Sequence, residues 1–514
     1  MTPLLNMGQA VSLHAQLTPD KIGARDLARA MTFRQWEARS RRLANGLLGL
    51  GLAKGDRVAV LAYNCVEWLE IYAATAMAGL VMVPINFRLT GPEIGYIIAD
   101  SEAEAVIVQA DFADEVQAIW ASGGWPERNT VHFGGATPAG WTGYEDLIAA
   151  AADRLPDVEV QPEDTWAFIY TSGTTGKPKG AMRNHASHAL LAFATLTDIE
   201  MNRRDTGLLV MPMCHANSLF FAATFTYCGA ACCVYDAKSF EPEHLLATLA
   251  RERATFTSLV PTHYIMMLGL SAAVKARYDV DSVAKLLISS APARRDTKLA
   301  ILEHFRNSQL LEMYGSSEAG WATLLRPDEQ LSKLGSIGRE LTGCRRMKLL
   351  DESGNEVPEG GVGEIYSHTP WRFDGYWKLP AKTAEAFHGP YLSVGDLGRR
   401  DAEGYYTLVD RKNNMIISGG ENIYPSEVEN LLGSHPAIKD VAVIGRPHDK
   451  WGEAVHAVIV LREGASTTAQ ELLEWCAGKI AGFKRPRSVA FIADHEMPRT
   501  ATGKILHRVL KARG

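Results

Sequence analysis

Between residues 32 and 109 short, largely apolar runs alternate with longer stretches whose apolar positions recur every three or four residues. RVAVLAY at 57–63, LVMVPI at 80–85 and AEAVIVQ at 103–109 are the runs, and VEWLEIYAATAMAG at 66–79 carries the helical period between the first two. A strand that is apolar at every position is buried on both faces. Such strands interleaved with helices predict a mostly parallel sheet covered by helices. After a polar stretch at 136–164 the texture returns, with TWAFIY at 165–170, TGLLVMP at 206–212, ATFTSLV at 254–260 and KLLISS at 285–290 as predicted strands. The longest apolar run, 219–235, is interrupted by Thr224, Thr226, Tyr227 and Gly229. It is slightly short for a membrane span and predicts a buried helix, a turn and a strand.

From about 335 to 410 the pattern breaks into short strands and glycine-rich turns, as in DESGNEVPEGGVGEIY and RRDAEGYYTLVDRK, which predicts a small β-rich subdomain. After residue 414 come the predicted helix SEVENLLGSH, the strands DVAVIGRP and EAVHAVIVL, and the helix TAQELLEWCAGKI. They read as a separate α+β unit of about 100 residues.

At 514 residues the chain exceeds what one hydrophobic core supports, so two or more domains are expected. The formal net charge of -6 argues against a nucleic-acid partner, which would call for a basic surface. The seven cysteines, Cys65, Cys214, Cys228, Cys232, Cys233, Cys344 and Cys476, are odd in number and show no CxxC spacing. They fit a reducing cytoplasm. Cys232 and Cys233, in an apolar stretch, read as buried thiols and not as metal ligands. The N-terminus lacks a basic opening followed by a long apolar core, so no signal peptide is expected, nor any integral membrane segment.

Directly after TWAFIY stands TSGTTGKPKG at 171–180. Glycines let backbone amides approach phosphate oxygens, while the hydroxyls of Ser172, Thr174 and Thr175 and the cations of Lys177 and Lys179 add donors and positive charge. Clusters of Gly, Ser, Thr and Pro usually mark plain surface loops. The string is no Walker A loop, because Thr171 stands where the first glycine belongs and Pro178 follows Lys177 in place of Ser or Thr. As a whole it resembles the signature loop of the adenylate-forming superfamily, which contains acyl-CoA synthetases, firefly-type luciferases and the adenylation domains of peptide synthetases. The resemblance implies nucleotide contacts from Thr171, Ser172, Gly173, Thr175, Gly176 and Lys179, and a catalytic part for Thr174.

Further strings similar to that family's motifs follow in its order. SSAPARR at 289–295 resembles the adenine-flanking turn, implying contacts from Ser290, Ala291 and Pro292. MYGSSEAG at 313–320 resembles the second nucleotide motif. There Met313, Tyr314, Gly315 and Ser317 are implied to line the nucleotide, Tyr314 to stack on adenine and Glu318 to bind magnesium. Ser317 stands where threonine is commoner, and it keeps the hydroxyl. SVGDLG at 393–398 and DRKNN after 409 place Asp396 and Arg411 at the family's ribose contacts, and a carboxylate accepting from two hydroxyls is a sensible ribose clamp. In PRTATGKI at 498–505 Lys504 resembles the catalytic lysine. Negative charge accumulates when a carboxylate attacks the α-phosphate and pyrophosphate leaves, and a positioned cation lowers that barrier, with Mg2+ on Glu318 in parallel.

The resemblance also implies an N-terminal domain at 1–411, made of two α/β sheet subdomains and a small β-barrel subdomain at about 335–410. A mobile α+β domain at 412–514 would follow. Asn413 matches the hinge, where the family commonly carries Asp or Lys. Gly419 and Gly420, in IISGGENIYPSEVE at 416–429, resemble the loop lining the pantetheine tunnel, where side chains would obstruct a narrow path. Rotation about the hinge would let one site serve two reactions. The implied activity is AMP-forming acyl-CoA synthesis with ATP, Mg2+ and coenzyme A.

Adenylation domains for amino acids carry an aspartate that pairs with the substrate amine, and in the matching region, PMCHANSLFF at 212–221, there is none. His215 resembles the gate by which acyl-CoA synthetases close the acid pocket. Thr262, His263, Tyr264, Ser289, Gly315 and Trp321 would face the acyl chain. Trp321 suggests an apolar wall and no cationic anchor is evident, which favours a monocarboxylic fatty, alicyclic or aryl acid as the small-molecule partner. Two rivals stand beside this reading. One is an enzyme that loads a carrier protein; the other is a non-catalytic nucleotide-binding protein, against which the retained Glu318, Asp396, Arg411 and Lys504 speak. A homodimer is compatible with a cytoplasmic enzyme of this kind.

Overall fold

A computed structural model of the chain describes residues 6–122, 129–171, 177–289, 293–412, 414–418, 421–500 and 503–513. It divides into two compact units, Met1–Arg346 with Ser367–Leu392, and Met347–Tyr366 with Ser393–Gly514.

The first unit holds two sheets. One runs, edge to edge, Gly375–Tyr376, Lys179–Asn184, Thr165–Thr171, Val81–Pro84, Arg57–Leu61, Ala103–Gln109, Asn129–Phe133 and Thr142–Gly143. It is parallel from Thr165–Thr171 onward and antiparallel at the other end. In the second, the strands Ile22–Arg25, Ala231–Val234, Thr206–Leu209, Phe256–Leu259, Lys285–Ile288 and Gln309–Ser316 are parallel neighbours. The hairpin Gln309–Ser316 and Gly320–Leu325 then turns the sheet antiparallel. The largely apolar runs have a physical cause in this arrangement. Val58 and Val60 enter the core between the sheets, whereas Ala59 and Leu61 enter the core on the opposite face. The helices Glu67–Ala78 and Ala216–Cys228 are buried along most of their length within the shared core. The run at 219–235 resolves into helix, turn and the strand Ala231–Val234, as its interruptions predicted.

The predicted strand at 206–212 is shorter, ending at Leu209. The side-chain amide of Asn64 donates to the carbonyls of Val210 and Met211 at 3.3 and 3.2 Å and its oxygen accepts from the Met213 amide at 2.8 Å. A side chain thereby supplies the partners that a neighbouring strand would otherwise offer.

In the second unit Asp396–Arg400 and Tyr406–Arg411 form an antiparallel pair, joined by Gly363 and Glu364 opposite Gly398 and Leu397. The strands Glu421–Ile423, Ile416–Ser418, Gly452–Leu461 and Ile438–His448 form an antiparallel sheet, with Ser488–Phe491 parallel at the edge. Val441 and Val443 face one core with Val428 and Leu432 of the helix Pro425–Gly433; Ala442 and Ile444 face another with Leu510 of the helix His507–Ala512. The helix predicted over 468–480 spans only Ala469–Trp475. Gly478 takes a φ of +73°, and the Lys479 ammonium folds back to 3.0 Å from the Trp475 ring, ending the helical path. Among the described residues no helix is long and apolar enough to cross a membrane.

Candidate active site

The hairpin of the second sheet closes because it carries glycine at two crowded points. A bulge follows Tyr314, Gly315 pairs with Trp321 and Ser316 with Gly320. A Cβ at 315 would lie 2.1 Å from the Gly320 carbonyl oxygen, and Gly320 itself has φ +68°. The tight turn that results presents Glu318, whose side chain is nonetheless buried at 6% exposure. Its carboxylate accepts from Thr171 Oγ1 at 3.2 Å and from the Tyr376 hydroxyl at 2.9 Å. Thr171 ends one strand and pairs with Lys179, which opens the next. The Lys179 ammonium sits 4.0 Å over the Tyr376 ring. Burial lowers the Lys179 pKa, while the Glu318 charge opposes that shift. A carboxylate, an ammonium and hydroxyls therefore meet at the two ends of the 172–178 connection.

Such a set can hold phosphates and a divalent cation. Mg2+ keeps several waters and takes one or two carboxylates together with substrate phosphates. Glu318, a single carboxylate held by two hydroxyls, one of them from the end of the glycine-rich string, fits magnesium of this shared kind. Ser172, Gly173, Thr174, Thr175, Gly176, Ser290, Ala291, Pro292, Asn413, Gly419 and Gly420 lie outside the described residues. Met313 is buried, and Tyr314, Gly315 and Ser317 are half-buried beside Glu318 in sequence. One strand position before Met313, Glu312 forms a buried ion pair with Lys298 at 2.7 Å.

Trp321 is 6% exposed and packs against Phe220 and Phe221, both ring centroids 5.7 Å away. His215 occupies the N-cap of the helix Ala216–Cys228 that carries those rings. Burial, helped by the Arg88 charge, pushes His215 down to about 4, and His263, stacked on Phe240 at 4.0 Å, to about 4 as well. Both rings are neutral at pH 7. Arg88, exposed, is a cation near these rings that the sequence did not signal. Thr262 is exposed. Tyr264 is fully buried with its hydroxyl on the Leu287 carbonyl at 3.0 Å, a core contact. Ser289 instead joins a polar cluster, its hydroxyl and that of Ser258 each accepting from the Asn217 amide at 3.0 Å.

In the second unit Asp396 and Arg411 face each other across paired strands, with Arg411 Nε 3.0 Å from Asp396 Oδ1. The Thr500 amide donates to the Lys504 carbonyl at 2.7 Å. By surface area the residue is exposed. Its ammonium is crowded enough that loss of solvent, followed by the Arg411 charge, pushes the pKa down to about 8 against the pull of Asp396 and Asp410. Lys504, Asp396 and Arg411 thus share one electrostatic neighbourhood. Tyr376 and Arg183, by contrast, reach the first unit's polar groups without lying in any motif, and Asn217, though it stands in PMCHANSLFF, is not singled out there.

The family model described as AMP-binding enzyme matches residues 11–377, and that of the AMP-binding enzyme C-terminal domain matches 427–504. The indoleacetate--CoA ligase of Aromatoleum aromaticum is 34% identical over 98% of this chain and 96% of its own. Feruloyl-CoA synthase of Amycolatopsis sp is 35% identical, over 97% of each chain. The crystal structure of the anthranilate CoA ligase AuaEII in complex with anthranoyl-AMP is similar with a TM-score of 0.89 at 27% identity, covering 100% of this chain and 98% of that one.

Proposed function

We propose, from the premise that this chain belongs to the family of AMP-binding enzymes, that its two sets of polar residues divide the work of one ligase reaction. The chain is an AMP-forming carboxylic acid–CoA ligase that converts acid, ATP and CoA to acyl-CoA, AMP and pyrophosphate through an acyl-adenylate. The observation that carries the division is the buried Glu318 carboxylate, held by a hydroxyl from the end of the glycine-rich string.

Thr171, Lys179 and the residues at 172–176, Thr174 among them, cradle the phosphates. Met313, Tyr314, Gly315 and Ser317, with Ser290, Ala291 and Pro292, hold the base, and Asp396 and Arg411 the ribose. Magnesium bound at Glu318 would neutralise charge on the phosphate oxygens. Lys504, an ammonium for the most part below pH 8, stabilises the charge that builds as the acid's oxygen bonds to the α-phosphorus and pyrophosphate departs. The CoA thiol, reaching the acyl carbon past Gly419 and Gly420, then forms the carbon–sulfur bond as AMP leaves. The part at 412–514 turns about Asn413 between these two steps, and the part at 1–411 keeps the nucleotide.

The acid is an apolar monocarboxylate, and aryl acids are favoured within that class. Trp321, Phe220 and Phe221 form an aromatic wall, His215 and His263 are neutral, and the relatives above are named for indoleacetate, ferulate and anthranilate. A cytoplasmic site and a homodimer complete the reading. The test is a panel of fatty, alicyclic, aryl and dicarboxylic acids assayed for AMP release with and without CoA. Aryl acids giving CoA-stimulated AMP release are expected. A chain that forms the adenylate, ignores free CoA and loads a carrier protein would overturn the assignment of the acceptor; a preference for dicarboxylates would overturn that of the acid.

A further inference from the structure

Arg183 lies in the strand Lys179–Asn184 and is wholly buried. Its Nη1 donates to the carbonyls of Ser317 and Glu318 at 2.9 and 3.4 Å, and its Nη2 to that of Trp371 at 2.7 Å. The guanidinium carbon stands 4.9 Å from the centroid of the Phe220 ring. Burial pushes its pKa down to about 10, with Asp374 and Glu318 opposing, so the group stays charged at neutral pH. No carboxylate hydrogen-bonds to it among the described residues. A buried cation of this kind is costly, and an apolar side chain of similar volume would fill the same space without the penalty.

What the cation grips suggests why it is there. The turn at 317–319 offers three carbonyls, and each is held from outside. The Ser317 carbonyl takes Arg183, that of Glu318 takes Arg183 and the Phe373 amide at 2.7 Å, and that of Ala319 takes the Thr369 hydroxyl at 2.6 Å. Arg183 is the one member that also stacks on Phe220, in the helix whose N-cap is His215 and whose ring packs on Trp321. We propose that Arg183 is a positioning residue for the magnesium carboxylate: by clamping the backbone on either side of residue 318 and resting on Phe220, it fixes Glu318 relative to the wall of the acid pocket. This rests on the reading of Glu318 as the magnesium ligand.

The experiment titrates Mg2+ against full-length protein saturated with ATP and reads the rise in melting temperature over ATP with chelator, a measure independent of turnover. Acid-dependent pyrophosphate release is followed over the same Mg2+ range. Arg183→Met is expected to raise the half-saturating Mg2+ by about tenfold, the scale on which partners around a metal ligand act. Arg183→Lys, which keeps the charge but not the fork, should fall between the variant and the parent. If Arg183→Met does not fold, Arg183→Lys decides alone. Half-saturation unchanged from the parent in the folded variants overturns the proposal. Glu318→Gln run in parallel separates the two readings. A shift there without one at Arg183 sinks only the Arg183 assignment, and no shift at Glu318 removes the magnesium reading and this inference with it.

Discussion

Glu318 and Lys504, to which the proposed mechanism assigns opposite charges in one reaction, are held by opposite means. Glu318 is buried, its carboxylate fixed by Thr171 and Tyr376 and the backbone around it tied at every carbonyl of the turn. Lys504, in the second unit, is exposed as a residue, and its ammonium is acted on by loss of solvent and then by charge, Arg411 lowering its pKa and Asp396 and Asp410 raising it. The contrast fits what each group is proposed to bind. Magnesium demands near-ideal octahedral geometry, so a ligand that wanders loses affinity. An ammonium on a flexible stem is a compact point charge with no such demand and can be delivered for one step and withdrawn for the next.

The largest effect should come from removing the delivered charge. Lys504→Ala is expected to slow acid-dependent pyrophosphate release by about 100- to 1000-fold, with thioester formation from supplied acyl-adenylate much less affected. Equal loss in both half-reactions would break the contrast, since Lys504 would then be no more dispensable than a fixed group. Next in size is a pH effect. With a pKa near 8, Lys504 loses its proton as pH rises, so the adenylation rate should decline above about pH 8, approaching tenfold per unit. Lys504→Arg should move that decline to higher pH, and a decline at the same pH in the arginine variant would assign it to another group.

On the fixed side the expected effects are smaller. Tyr376→Phe removes one of the two hydroxyl donors to Glu318 among the described residues and should weaken apparent magnesium affinity by about 1 to 2 kcal/mol, read from the same Mg2+ titration of melting temperature. An unchanged titration would mean that Thr171 alone orients the carboxylate. A comparison of stability, not of activity, contrasts the units as wholes. In the first, His185 is buried beside Trp166 and pushed by burial to about 4. A depressed histidine pKa means that the unfolded chain binds the proton first, so this unit should lose up to about 1.4 kcal/mol per pH unit as pH falls from 6.5 towards 4. In the second, burial lowers the His507 pKa but the Glu429 hydrogen bond at 2.6 Å and its charge prevail, raising it. That contribution is full below pH 6.5 and is lost as pH rises through the raised value. Melts of His185→Gln and His507→Gln at pH 5 and pH 8 should therefore lose pH sensitivity in opposite directions.

Much of the fold was legible because each strand's environment is written in its own residues: AEAVIVQ is apolar from Ala105 to Val108, where the strand is buried, and spans Ala103–Gln109 as expected. Where the reading overran, a distant partner intervened, as Asn64 does at the end of Thr206–Leu209. The site shows the same division. Thr171, Lys179, Glu318, Asp396, Arg411 and Lys504 stand in contiguous strings that can be found by eye. Tyr376 and Arg183 cannot, because their importance lies in contacts made across the fold to residues 58 and about 130 positions away in sequence. A tyrosine in GYWKLP and an arginine in AMRNH look like any others until the sheet is assembled. Asn217 stands in PMCHANSLFF, but its part was not legible there, because its two serine partners arrive from the neighbouring strands' ends.

The rung that joins Thr171 to Lys179 bears on how such a protein can be remodelled. The chain leaves the sheet and re-enters it at adjacent places, so the framework registers only that the connection begins and ends there. Loops of other lengths or sequences could be grafted between those two residues while the strands, and the carboxylate that leans on Thr171, kept their positions. Whatever that connection contributes to phosphate binding should therefore be exchangeable between relatives as a cassette, with the strands on either side left in place.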